Sequence, residues 1–183
     1  MNKVNPNDVA KWFCSQGIIE NPNSREGNMK VQKLLFFAQL IYMAKNNGET
    51  MFDEEFKAFK DGVVLESVMT NYREHYKDMF KEIEKGKISV EPNLLEILDQ
   101  TVEIFGDASA QELSELSHEF DAWNKFFQKS KKPGSYVKEL SLIPYEELRK
   151  ELYRIEKVLR AYEQVKMFPD DGVEDYWLKS DNF

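Results

Sequence analysis

The chain has little of what a membrane, secreted or disulfide-stabilised protein needs. Its single cysteine, Cys14, excludes an intramolecular disulfide and suits the reducing cytosol. No run approaches the roughly 18 consecutive apolar residues of a transmembrane helix. The first residues, MNKVNPNDVAKWF, lack the continuous apolar segment of a secretory signal. We therefore expect a cytoplasmic protein that does not associate with membranes.

Positive charge is also scarce. The 183 residues include 25 Lys and Arg against 33 Asp and Glu, a formal net charge of −8. Such a surface repels phosphate backbones, so nucleic acid is not an expected partner. The charge is uneven, because residues 169–183 alone carry five acids and one lysine. Apolar residues, at 42%, are plentiful enough for the core of one domain.

The chain is organised around the segment from Asn28 to Asn46, NMKVQKLLFFAQLIYMAKN. Apolar residues recur with the i, i+3, i+4, i+7 spacing of one helical face, and phenylalanine, leucine and methionine fill most of the opposite face. A helix that is apolar nearly all round belongs inside a domain. The sequence predicts a buried central helix over 28–46, capped by Asn28 and ended by Gly48.

The remaining segments predict a mainly α, compact multi-helix domain. The stretch from Met51 to Leu65 is the least helical, and Asp61-Gly62 within it is a turn dipeptide. Lys87 to Val90 is the other strand-like run, so a small two-stranded β ribbon between the two is permitted. Such a ribbon would be marginal without helices beneath it.

A long C-terminal helix is predicted over about 144–167. Its apolar residues follow a narrow heptad-like seam: Tyr145, Leu148, Leu152, Ile155, Leu159 and Tyr162. The basic break KSKKPG precedes it, which divides the chain into a helical domain over 1–132 and an extension over 133–183 packed on that domain. Self-association through the seam is the second choice, so we expect a monomer or a homodimer.

Two polar residues, Gln32 and Lys33, interrupt the central helix. One interpretation, which we favour, is that Gln32 satisfies a buried backbone group while Lys33 extends its charge to solvent. The other makes Lys33 a binding anchor beneath the loop from Phe59 to Gly62. The Glu147, Glu151 and Lys157 pattern of the long helix is typical of a solvated face.

Candidate catalytic groups are few. Glu115 and His118 have the Glu-x-x-His spacing of di-metal bundles, but no second such motif exists. The more ordinary expectation is that His118 caps the end of a short helix. His75 and Cys14 fit a core, and no catalytic triad order, phosphate loop or zinc spacing occurs. We expect no enzyme activity, no metal and no cofactor.

The acidic, aromatic tail is a candidate interaction segment. Asp175, Tyr176 and Trp177 combine charge with aromatic anchors of the kind found at binding hot spots. The tail could fold onto a basic partner. Equally, Tyr176 and Trp177 could pack back onto the protein's own domain.

Three segments resemble one family. Met29–Gln39, MKVQKLLFFAQ, is similar to the LQKLLYYAQ signature of the Panacea (SocA-like) antitoxin domain. Met51–Val64, MFDEEFKAFKDGVV, resembles its LFDEPIEAWKYGPVV segment, and Glu103–Trp123, EIFGDASAQELSELSHEFDAW, resembles its YGDLSAWELSELTHEEDPW segment. The three occur in the family's order and spacing over about Val9 to Trp123. The long helix and the tail lie outside the resemblance.

Two positions depart from the family pattern. Where the family has Trp-Lys-Tyr-Gly-Pro, this chain has Phe59-Lys60-Asp61-Gly62-Val63, so the loop's shape cannot simply be carried over. The second tryptophan of the third motif is Gln111 here.

The resemblance implies an antitoxin that binds and neutralises a toxic protein encoded beside it, often on a phage. Direct binding of a cognate toxin is the first hypothesis. A proteolytic adaptor that delivers the toxin to a protease is the second, an acidic phage protein that mimics nucleic acid the third, and a metal-dependent hydrolase the fourth. The candidate partner-binding residues are Lys33, Phe59, Lys60, Asp61, Gly62, Asp175, Tyr176 and Trp177.

Overall fold

A computed structural model describes residues 3–84, 90–132 and 135–167. The helices are α1 (Pro6–Ser15), α2 (Arg25–Lys45), α3 (Glu66–Glu84), α4 (Pro92–Phe105), α5 (Ala110–His118), α6 (Asp121–Ser130), α7 (Tyr145–Arg149) and α8 (Leu152–Met167), with a 3₁₀ turn at Lys138–Ser141. The strands are β1 (Lys57–Phe59), β2 (Gly62–Val64), β3 (Lys131–Lys132) and β4 (Ser135–Tyr136). The prediction of a mainly α fold is confirmed.

Helix α2 is the buried central helix that the sequence predicts. Every residue from Val31 to Met43 is buried. It ends as predicted, because the N–H of Gly48, at φ 80°, donates to the carbonyl of Met43 over 2.8 Å. Its start differs. The N-cap is Ser24, not Asn28, because the Ser24 hydroxyl accepts from the Gly27 N–H and so extends the helix by about one turn.

The other helices pack around α2. Helix α1 lies against α2 and α3, and α4, α5 and α8 each contact α2. Helix α4 runs antiparallel to α2: Lys45 pairs with Glu96 at one end, and Lys30 Nζ donates to the Gly106 carbonyl over 2.7 Å at the other. Between these ends the Phe37 and Phe105 rings stack with centroids 4.3 Å apart. Among the described helices, none is long and apolar enough to cross a bilayer.

The predicted β ribbon is present, but its second strand comes from a different place. Strand β1 pairs antiparallel with β2, with Lys57 opposite Val64 and Phe59 opposite Gly62. Both strands therefore lie within the single stretch from Met51 to Leu65. The two turn residues are Lys60 and Asp61, one position earlier than the predicted Asp61-Gly62, and Gly62 follows them as the first residue of β2 at φ 95°. The other strand-like run lies mainly outside the described residues, and Val90 is not in a strand. A second two-stranded ribbon, β3 with β4, occupies the predicted basic break.

The long C-terminal helix is present as α8, and its predicted first turns form the separate helix α7. Ile155, Val158 and Leu159 of α8 join the core around α2. The chain turns at Lys150 and Glu151, where the Glu151 carboxylate points inward. The expectation that Glu151 lies on a solvated face is wrong, because its two oxygens accept the N–H groups that open α6. The boundary at 132/133 stays a prediction.

Candidate functional site: a basic groove beside the hairpin

A groove of about 1380 Å³ opens along the β1–β2 hairpin. Its walls are the first turns of α2, the hairpin, the first half of α3, the end of α6 and the β3–β4 ribbon. The charged side chains that line it are Arg25, Lys33, Lys60, Asp61, Arg73, Lys131 and Lys138. In the part of the chain that the structure describes, six lining residues are thus basic and one is acidic, although the whole chain carries −8.

Part of this positive charge is unbalanced. Asp61 is paired, since its Oδ2 lies 2.5 Å from Arg25 Nη2, and Lys138 forms an ion pair with Glu66. Lys60, Arg73 and Lys131 have no carboxylate partner among the described residues. All three are exposed. The groove is therefore a local anion-attracting surface on an acidic protein.

Aromatic rings line the same groove as these cations. The Phe59 and Tyr136 rings meet edge to face with centroids 5.7 Å apart, and Lys131 Nζ lies 4.0 Å from the centre of the Phe127 ring. Tyr136 is 42% exposed, which is unusual for so large a ring. Tyrosine and arginine are enriched among the residues that contribute most to the affinity of protein interfaces.

Lys33 forms the floor beneath the hairpin. It is 1% exposed, and its Nζ donates to the Val63 carbonyl over 3.0 Å. The favoured expectation that Lys33 extends its charge to solvent is wrong. Burial lowers the pKa of Lys33 to about 7, and the nearby charge of Asp61 only partly opposes that shift.

Two glutamines of α2 hold the chain that flanks the hairpin. Gln32 Oε1 accepts from the Leu65 N–H over 2.8 Å, and its Nε2 donates to the Leu65 carbonyl over 3.3 Å. This confirms the predicted role of Gln32. Gln39 Oε1 accepts from the N–H groups of Met51 and Phe52 over 3.2 and 3.0 Å. Buried backbone groups outside regular structure thereby gain partners.

The β1–β2 hairpin can pack directly against Lys33 of α2 and Ser117 of α5 only because residue 62 is glycine. A Cβ there would lie 2.4 Å from Ser117 Oγ and 2.6 Å from Lys33 Cε. On either side of the contact, Ser114 Oγ donates to the Asp61 carbonyl and Trp123 Nε1 to the Phe59 carbonyl, each over 2.9 Å. The hairpin is thus fixed to α5 and α6 as well as to α2.

His118 takes part in this packing and does not act as the predicted cationic cap. Its ring stacks on Trp123 with centroids 3.8 Å apart, and its buried Nε2 has no hydrogen-bond partner among the described residues. Burial, and then the charge of Lys33, lower the pKa of His118, so the ring is neutral at pH 7.

The other candidate catalytic groups have ordinary surroundings where the structure describes them. Cys14 is buried, as expected, with its Sγ 2.6 Å from the Tyr72 hydroxyl. Burial raises the pKa of its thiol to about 11. Glu115 accepts a hydrogen bond from Gln111 over 2.8 Å. The side chain of His75 lies outside the described residues.

The structure brings five of the predicted partner-binding residues together at one place. Lys33, Phe59, Lys60 and Asp61 line the groove, and Gly62 seats the hairpin. Asp175, Tyr176 and Trp177 lie outside the described residues. Whether any of the eight contacts a partner stays a prediction.

Sequence reasoning missed most of the groove's cations and its exposed ring. These residues are Arg25, Arg73, Lys131, Tyr136 and Lys138. They lie on separate elements, and the only local signal was the basic run at 129–134, a pattern that is also typical of a break between domains.

The geometry thus combines a mainly helical domain with a hairpin held by three helices and a groove lined by cations and aromatic rings. Residues 31–124, slightly more than half of the chain, match the family model described as Antitoxin SocA-like, Panacea domain. The chain belongs to this family, and the resemblance of its three motifs is confirmed. Comparisons with curated proteins and with solved structures gave no match.

Family membership supports a general antitoxin role and implies a protein partner. The matched segment contains the buried floor and the whole hairpin, with Lys33, Gly62 and Trp123. Arg25, Lys131 and Tyr136 lie outside it.

Proposed function

We propose that this chain is a cytoplasmic, non-catalytic antitoxin of a phage-associated toxin–antitoxin system, and that it neutralises its cognate toxin by binding it directly. The groove beside the hairpin is the proposed docking surface. The observation that carries this choice is the set of cations at Lys60, Arg73 and Lys131, which lack a carboxylate partner among the described residues and share the groove with the exposed Tyr136 ring.

The hairpin suits binding because its backbone is held in place. Three of its carbonyl groups, those of Phe59, Asp61 and Val63, each accept a hydrogen bond from a side chain of another element. A surface that is ordered before binding loses less conformational entropy on binding. The same contacts leave the Lys60 side chain at the tip free to meet a partner.

The charge of the groove indicates which part of a toxin it would contact. An acidic segment is attracted to the unpaired cations, and charged groups at an interface chiefly raise the association rate and select the partner. The aromatic rings would supply most of the affinity.

Co-expression with the toxin encoded beside this chain tests the proposal. We expect growth to be rescued and the two proteins to co-purify. The double substitution Lys60→Glu with Lys131→Glu should abolish both results. The matched control, Lys129→Glu with Lys157→Glu, makes the same charge change at exposed positions outside the groove and should leave rescue intact.

The outcomes separate the two parts of the proposal. Absence of rescue and of co-purification with the natural sequence rejects the antitoxin role. Full rescue by the groove variant would reject the groove as the docking surface while leaving the antitoxin role standing.

The hypotheses of a proteolytic adaptor and of a nucleic-acid mimic predict different results from the same pair of proteins. An adaptor accelerates degradation of the toxin when purified protease is added, whereas a direct inhibitor does not. A mimic is displaced from the toxin by nucleic acid in proportion to its concentration. Sedimentation of the free chain distinguishes the monomer from the homodimer.

A further inference from the structure

We propose that His118 sets the position of the β1–β2 hairpin, and that a proton added to its ring releases the hairpin and so opens the basic groove. The proposal rests on the proposed function only in that this groove is the proposed docking surface. It concerns the free protein and is tested without a toxin. His118 acts here through Trp123, as a positioning residue, and touches no partner itself.

Rings in stacking contact lead from His118 to the groove. The His118 ring stacks on Trp123 with centroids 3.8 Å apart, and Trp123 stacks on Phe127 with centroids 5.0 Å apart. Phe127 lines the groove, and Lys131 Nζ lies 4.0 Å from the centre of its ring. The position of one groove cation is thus linked through three rings to a group that can take up a proton.

The same region holds both strands of the hairpin. Trp123 Nε1 donates to the carbonyl of Phe59, the last residue of β1, over 2.9 Å. Ser117, the residue before His118, lies against β2, because a Cβ on Gly62 would come within 2.4 Å of its Oγ. A movement of His118 therefore reaches both strands, and residues 59–61 of this hairpin line the groove.

The buried side of the His118 ring has no acceptor for a proton. Its Nε2 is buried and has no hydrogen-bond partner among the described residues. Both nitrogens of an imidazolium are donors, so a charged ring in this position would bury an N–H group without an acceptor. An unpaired buried donor is costly, and more so when it is charged. Because the residue is only half-buried, rotation of the ring toward solvent relieves that cost.

The surrounding charges do not remove the cost. Burial, and then the charge of Lys33 on α2, hold the pKa of His118 below its usual range. The carboxylates of Asp61 on the hairpin, of Glu115 on α5 and of Glu119 just after α5 oppose that shift without cancelling it. A solvated ring in the open state takes a proton near pH 6.5, so each pH unit below that value favours opening by up to about tenfold. The neutral ring thus holds the hairpin above pH 6.5, and its hold is lost as the pH falls.

Hydrogen–deuterium exchange of the full chain, corrected for the intrinsic dependence of exchange on pH, tests the release. We expect the protection of amides at 57–65 to fall at least about tenfold between pH 7 and pH 5. Amides at 31–43, inside α2, should keep their protection. Loss at the hairpin alone indicates local opening, whereas equal loss in α2 indicates unfolding of the domain and would overturn the proposal.

Two variants identify the group that is responsible, because the chain contains only two histidines, His75 and His118. His118→Phe keeps a ring that can stack on Trp123 but cannot take up a proton, so the fall in hairpin protection should disappear. His75→Gln is the matched control and should keep the whole fall. Lys33 is present in all of these proteins, so its own titration does not enter the comparison. Circular dichroism verifies that each variant is folded.

A measurement on the natural sequence does not depend on how His118→Phe folds. The pH at which the His118 ring takes up its proton, followed by nuclear magnetic resonance, should coincide with the midpoint of the loss of hairpin protection. A protonated ring beneath a hairpin that stays protected would overturn the proposal, as would an undiminished loss in His118→Phe. Neither result bears on whether the chain rescues cells from a toxin at neutral pH, which tests the proposed function.

Discussion

The two sides of helix α2 are held by different kinds of interaction. On the hairpin side, Gln32, Lys33 and Gln39 reach out and bind backbone groups of a stretch that is poor in helix. On the side of α8, the contact is made by apolar side chains such as Ile155 and Val158. One helix thus serves as a polar scaffold on one side and an apolar one on the other.

The difference has a physical reason. A helix such as α8 forms its backbone hydrogen bonds internally, so apolar side chains on one face are sufficient for it to pack against α2. A short hairpin and its flanking loops cannot satisfy all of their N–H and C=O groups internally, and burying them requires partners from elsewhere. Polar residues in the middle of an apolar helix therefore indicate that irregular chain lies against it.

The largest expected loss of stability comes from disrupting the contact between the hairpin and α2. Gly62→Ala should lower the free energy of unfolding by about 4 kcal/mol, because it combines a strained positive φ with overlap onto Ser117 and Lys33. Urea unfolding measures it. Gly17→Ala is the control: Gly17 has φ 75° but nothing within 4 Å of the added Cβ, so strain alone should lower the stability by about 1 kcal/mol. Equal losses at the two glycines would show that the close approach is unimportant.

The second largest effect comes from a polar contact of the segment between α7 and α8, where Glu151 meets the start of α6. Glu151→Ala removes the carboxylate that accepts from the N–H groups of Asp121 and Ala122, each over 2.8 Å. We expect a loss of about 2–3 kcal/mol, since charge-assisted bonds at a buried helix start are replaced by unpaired donors. Glu156→Ala, at an exposed position of α8, should change stability by less than about 0.5 kcal/mol. A Glu151 variant as stable as the Glu156 variant contradicts the capping role.

The third prediction concerns Lys33 on the hairpin side of α2 and the dependence of the free energy of unfolding on pH. Burial lowers the pKa of Lys33 from 10.5 to about 7, so between these values the unfolded chain binds more protons than the folded one. The free energy of unfolding should therefore rise with pH across this window, by about 2 kcal/mol from pH 7 to pH 9. Lys33→Met should remove that rise. Subtracting the free energy of unfolding of the Lys33→Met variant from that of the natural sequence at each pH leaves the contribution of Lys33. If the two proteins show the same pH dependence, the pKa of Lys33 is not lowered by burial.

The smallest expected change in stability comes from comparing two exposed tyrosines, one on each side of α2. Tyr136→Phe removes the hydroxyl that donates to the Ala58 carbonyl over 2.7 Å on the hairpin side, and should lower stability by about 0.5–1 kcal/mol. Tyr153, at 47% exposure on α8, has no hydrogen bond to the described residues, so Tyr153→Phe should be neutral. Thermal unfolding of both variants measures the difference. A neutral Tyr136 variant would remove this contact from the set that holds the hairpin.

The sequence predicted the parts of this fold that depend on neighbours along the chain. The central helix and the Gly48 stop were both predicted and are present. Each depends on residues within about one or two turns, where spacing and capping chemistry act directly.

The errors fall where a side chain meets a distant element. Glu151 was placed on a solvated face because its neighbours are charged, yet its partners lie 29 and 30 residues away in α6. Lys33 was expected at the surface because buried lysines are uncommon, and only the approach of Gly62 shows why its ammonium group is covered.

By itself, then, the sequence determined the central helix, its stop at Gly48, the mainly α fold and the family, because periodicity, capping and motif order are local properties of the chain. Only the tertiary structure decided which polar groups are buried and how the basic groove forms. Its cations come from segments as far apart as Arg25 and Lys138, and no local pattern records that packing will place them around one hairpin.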